Sequence, residues 1–213
     1  MQEFEALFAF YALLLGLAVA NVATAFAEMY KARGRVRIGW TVPFLGAVVL
    51  AAACQQWLSL FRAQADMRLG AGELFICLAM ALPYIFISQV IRPRYDEVAS
   101  LEAYYSQHRR VLVGALLIPV LASSVVNVIY TVAGQEEILP AVLGFLIYQG
   151  VRYACIIPML IWPGVAVQRT GLIVLFVHTV LMMLVRVING ANALTEMTRL
   201  SQAGFTKDET QRS

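Results

Sequence analysis

Residues Ile138 to Trp162 read ILPAVLGFLIYQGVRYACIIPMLIW. The run is almost wholly apolar, and it meets the length of roughly 20 residues that a helix needs to cross the hydrocarbon of a bilayer. Arg152 stands near its middle. On insertion scales a guanidinium at that depth costs at least about 2.5–3.5 kcal/mol unless protein or water surrounds it. The side chain must therefore face other helices or a wet cavity, and the other spans have to supply its surroundings.

Composition points the same way. The 213 residues are 61% hydrophobic and only 14% charged, against about 25% charged in an ordinary soluble domain. Too little polar sequence remains for a second folded unit. The expectation is an all-α, polytopic transmembrane bundle occupying residues 1–190, followed by a polar C-terminal tail over 191–213. A net charge of +3 is too small to point to nucleic acid. Lysine occurs only at Lys31 and Lys207, and the remaining basic residues are arginine. Cys54, Cys77 and Cys155 fall inside apolar runs without a CxxC partner, which argues against zinc or a structural disulfide and for cysteine as a small hydrophobe. No cofactor is expected. The opening MQEFEALFAF lacks a basic n-region, so its apolar run is expected to stay in the mature protein.

About six segments are long enough to span. The first runs from about Phe4 to Met29, with Gly16, Ala20 and Thr24 as a small-residue seam suited to close helix contact. Asn21, Thr24 and Glu28 share a face toward its far end. The basic stretch KARGRVR follows, and Glu28 beside it suits an interfacial ion pair. Trp40 reads as an interfacial anchor. The second span is about Trp40 to Phe61, with Gln55, Gln56 and Ser59 in its far half. The third is about Leu74 to Ile91, with Pro83 inside and Ser88 and Gln89 near its end. In RPRYDEVASLEAYYSQHRR, Val98, Leu101 and Tyr105 recur at helical spacing among charges. This predicts a short amphipathic surface helix that either stands alone or runs into the fourth span, about Val111 to Thr131. Pro119 lies in that fourth span, ahead of a polar stripe of Ser123, Ser124, Asn127 and Thr131. The fifth span contains Pro158, and WPGVAVQRTG reads as a tight return. The sixth runs from about Thr170 to Ile188, with His178 midway and Arg186 near its end.

Basic residues cluster in alternate connections: Lys31, Arg33, Arg35 and Arg37, then Arg92, Arg94, Arg109 and Arg110, then Arg169. The excess of Lys and Arg marks cytoplasmic loops. Both termini are then expected in the periplasm, with the chain in a bacterial inner membrane. In that orientation Gln55, Gln56, Ser123, Asn127, Gln149, Arg152, His178 and Arg186 lie between mid-membrane and the outer surface. Tyr148, Gln149 and Arg152 share a helix face. Together these residues outline an outward-facing, electropositive cavity. A second polar group, Asn21, Thr24, Glu28, Ser88 and Gln89, lies nearer the cytoplasmic side, with an apolar belt between the two where a gate can sit.

Each signal has a plainer alternative. Arg152 can cap carbonyls freed by Pro83, Pro119 or Pro158. His178 fits a hydrogen-bonded packing role, the Ser and Asn stripes fit helix–helix contacts, and Arg186 fits a snorkelling side chain. HExxH, GxSxG and Walker motifs are missing, so an enzyme is not expected, and no motif set assigns the chain to a characterised family. The leading expectation is a small channel or carrier for an anion or small polar solute, working as a homo-oligomer. The competing expectations are a non-transporting membrane subunit that binds a protein partner through its cytoplasmic loops, and a lipid head-group-binding protein.

Overall fold

The apolar runs form six helices in a computed structural model, which describes residues 2–62, 71–134, 138–185 and 187–188. They are α1 (Gln2–Ala32), α2 (Thr41–Arg62), α3 (Ala71–Val90), α4 (Leu101–Gly134) and α5 (Ile138–Ile161), with α6 spanning Val165–Val185. Helices α1, α2, α4 and α6 are each long and apolar enough to cross a membrane, while α3 and α5 supply the shorter apolar stretches Leu74–Val90 and Ile147–Ile161. Backbone groups satisfied within a helix are what a bilayer requires of a spanning segment. Among the described residues the only extended pairing is a parallel bridge between Arg37 and Ser100.

Helix α1 lies against α2 and α3, α3 against α4, and α4 against α5. The inward face of α1 is Leu7, Tyr11, Leu15, Ala18, Val22, Ala25 and Met29, all buried. Their alternating spacing of three and four residues is that of one helix stripe. The seam of Gly16, Ala20 and Thr24 faces away from the helices packed on α1. All three are exposed, and a methyl on Gly16 would meet nothing. The stripe that packs lies on the opposite side of the helix, about half a turn away from them. Close approach of α1 and α2 occurs instead at Gly46, where a Cβ would lie 2.8 Å from the Phe26 ring. Gly171 plays the same part between α6 and α5, since a Cβ there would strike the Met159 thioether.

Two expectations about connections change. Residues 101–108 are the first turns of α4, which continues unbroken through Pro119. No separate surface helix stands between the third and fourth spans, and His108 is helical, its Nδ1 3.0 Å from the Tyr104 carbonyl. The return after α5 is shorter than WPGVAVQRTG, because α6 begins at Val165. Gln168 explains this early start. Its amide donates to the carbonyls of Met159 (2.7 Å) and Trp162 (2.8 Å), groups that a helix C-terminus leaves without intrahelical partners. Cys77 is buried as a small hydrophobe should be, whereas Cys54 is exposed and Cys155 half-buried.

The basic connections meet at one end of the bundle. Backbone bonds from Arg37 to Ala99 and from Leu101 to Arg37 tie the α1–α2 and α3–α4 connections together. Glu102 at the start of α4 accepts from Thr41 at the start of α2 (2.6 Å) and from Arg169 in α6 (2.9 Å). Tyr105 donates to Gln168. Three helix starts are thereby clasped around one carboxylate.

Candidate functional site

Arg152 lies on the buried face of α5 and is 7% exposed. Its Nη2 donates to Gln55 Oε1 on α2 at 2.6 Å, and its Cζ sits 4.6 Å from the centroid of the Tyr148 ring. Gln55 Nε2 donates in turn to the Tyr148 hydroxyl at 2.6 Å. One glutamine thus accepts from the cation and holds the ring on which the cation rests. Both contacts favour a guanidinium over a neutral side chain, one as a charge-assisted hydrogen bond and the other as a cation–π contact. Neither cancels the charge. The ion pairs among the described residues are Arg92–Glu28, Arg94–Glu97 and Arg169–Glu102, so Arg152 has no carboxylate partner there.

Neighbouring helices complete a polar layer around this pair. Gln149, 1% exposed, donates from Nε2 to Ser123 Oγ on α4 at 2.9 Å, while its Oε1 has no partner among the described residues. Ser124 and Tyr153 share a hydrogen bond of 2.8 Å. The Tyr84 hydroxyl on α3 lies near the Gln56 amide and within electrostatic reach of Arg152. His178 on α6 tilts against Tyr148, with ring centroids 5.5 Å apart. It is 8% exposed, and neither ring nitrogen has a partner among the described residues. A buried polar atom without a partner costs about 1–3 kcal/mol. The three such atoms in this layer are Gln149 Oε1 and the two ring nitrogens of His178.

The structure therefore brings together Gln55, Gln149, Arg152, His178 and Ser123, with Gln56 at the edge of the group. The Asn127 side chain and Arg186 lie outside the described residues. No hydrogen bond joins the members of the second expected group among the described residues. Thr24 is exposed and bonds back to the Ala20 carbonyl, Ser88 bonds back to Ile85, and Gln89 faces outward. Asn21 is half-buried, with Nδ2 unpartnered among the described residues. Glu28 forms a two-pronged pair with Arg92, at 2.6 and 3.1 Å. This pairing holds the Arg92 guanidinium above its ordinary pKa, and burial pushes the adjacent Tyr95 hydroxyl up.

Sequence reading did not single out Tyr84 and Tyr153, nor the clasp of Thr41, Glu102 and Arg169. The tyrosines gave no charge signal, and Glu102 sits among many charges. A groove of about 570 Å³ between α3 and α4 is wholly apolar, lined by residues such as Phe75, Leu82, Pro83 and Ile118. It lies apart from Arg152.

By composition and helix length this is a chain of the membrane-protein class. No protein-family model, curated protein or solved structure matches it.

Proposed function

We propose that the chain is a small transport protein, a channel or a carrier, that receives an anion or small polar solute at Arg152. One observation carries the reading: every partner of this buried guanidinium among the described residues, Gln55 and the Tyr148 ring, is neutral. A purely structural arginine in hydrocarbon is normally paired or turned to the interface. The unpartnered atoms of Gln149 and His178 beside it give an incoming anion further contacts.

In this reading six helices cross a bacterial inner membrane. The basic connections face the cytoplasm, both termini face the periplasm, and Arg152 is entered from the periplasmic side. Gly16, Ala20 and Thr24, exposed along α1, offer a small-residue contact for the same helix of a second copy. The test is anion flux into proteoliposomes, with nitrate and chloride as probes and urea as the neutral control. Wild-type protein should raise anion entry above empty liposomes, Arg152→Lys should retain part of it, and Arg152→Ala should abolish it. Equal flux with and without protein would end the proposal.

A further inference from the structure

A second arginine behaves like Arg152 at the opposite, basic end. Arg109 and Arg110 are adjacent on α4, yet Arg110 is exposed while Arg109 is turned inward and only 7% exposed. Arg109 Nη1 is buried and has no hydrogen-bond partner among the described residues. Snorkelling places a guanidinium in water or among head groups, and a buried Nη1 is in neither. The nearest acid on its own helix is Glu102, seven residues before it, or about 10 Å along the axis. Both side chains lean toward the helix N-terminus, so that separation persists. Glu102 accepts from Thr41 and Arg169 through Oε1, and its Oε2, though without a hydrogen-bond partner among the described residues, makes no ion pair with Arg109 there. Tyr105, between them, spends its hydroxyl on Gln168.

We propose that Arg109 is an oxyanion-binding station at the basic end of the bundle, distinct from Arg152 and independent of whether the chain transports anything. The buried N–H and its uncancelled charge would hold a phosphate-type oxyanion, since planar guanidinium donors match such oxygens. The oxyanion is either free phosphate or the head group of an anionic phospholipid. Both present the same oxygens to the same fork.

The experiment follows the thermal unfolding midpoint of the full chain in lipid nanodiscs. One arm titrates inorganic phosphate into discs of phosphatidylcholine alone. The other replaces part of that lipid with phosphatidylglycerol. Stabilisation of wild-type protein in the first arm identifies a free anion as the source, and stabilisation in the second arm alone identifies a head group. In the responding arm, Arg109→Gln should need at least tenfold more ligand for the same shift, and Arg109→Lys should fall between the two. Arg110→Gln should respond as wild type does. If Arg109→Gln does not fold, the intermediate response of Arg109→Lys against an unchanged Arg110→Gln still decides in favour. Equal responses from wild type and both Arg109 variants, equal losses from Arg109 and Arg110 variants, or no stabilisation in either arm would overturn the station. Because this test reads stabilisation lost at Arg109 and the flux test reads permeation lost at Arg152, the two outcomes are separable.

Discussion

The ion pairs of the basic end and the layer around Arg152 handle charge in opposite ways. At the basic end, Glu28 meets Arg92 and Glu102 meets Arg169, each pair at hydrogen-bonding distance and partly open to the outside. Arg152, more deeply placed, is held by a glutamine and a tyrosine ring. The chain places carboxylates where a charge can be rehydrated and withholds them where it cannot. Neutral partners orient a guanidinium without cancelling it, so the contrast separates charges that fasten helices from a charge kept available.

The largest expected effect lies in the buried pair. Gln55→Leu strands the Arg152 charge and should cost about 3 kcal/mol, the scale for leaving a buried charge without its partner. Adding Arg152→Met should recover most of that loss, because an apolar replacement of both partners removes the stranded charge. Unfolding of the two single variants and the double variant completes the cycle. A double variant no more stable than Gln55→Leu would show that the glutamine is not there for the arginine.

The clasp comes next. A Cβ at position 39 would collide with Glu102 Oε2, forcing that carboxylate away from Thr41 and Arg169. Gly39→Ala should therefore destabilise by about 1 kcal/mol, the net worth of a typical hydrogen-bond set. The same substitution in a Glu102→Ala background should cost almost nothing. Additive effects in that cycle would dissociate Gly39 from the clasp. Smallest is the Glu28–Arg92 pair, whose side chains are about a third exposed. Glu28→Gln should cost less than about 1 kcal/mol, and the difference should shrink further as salt is raised.

Much of this contrast is legible in the primary structure. Arg152 stands out because a single charge interrupts an apolar run, and the paired amides Gln55 and Gln56 mark the helix that meets it. Which amide turns inward is not legible, since adjacent residues lie 100° apart and only the α2 packing angle decides. That α4 starts at Leu101 was one of two open readings, because LEAYYSQHRR has the polarity of a surface segment and its inward residues Tyr105 and Arg109 are polar themselves. The start of α6 was hidden by its closeness to Pro163 and Gly164, and by the role of Gln168, which only the α5 carbonyls reveal. The seam of Gly16, Ala20 and Thr24 was visible, but not the helix it would meet. Small residues announce a close contact without saying whether the partner is in the same chain.

The most direct test of the uncancelled charge is Arg152→Met, with nitrate flux and thermal unfolding measured on the same proteoliposome preparation. Loss of at least nine-tenths of the protein-dependent flux, with the unfolding midpoint unchanged or raised, is expected of a charge kept for a ligand. Unchanged flux, or a flux loss that merely tracks a lowered midpoint, would contradict it and leave Arg152 as a fastening like those at the basic end.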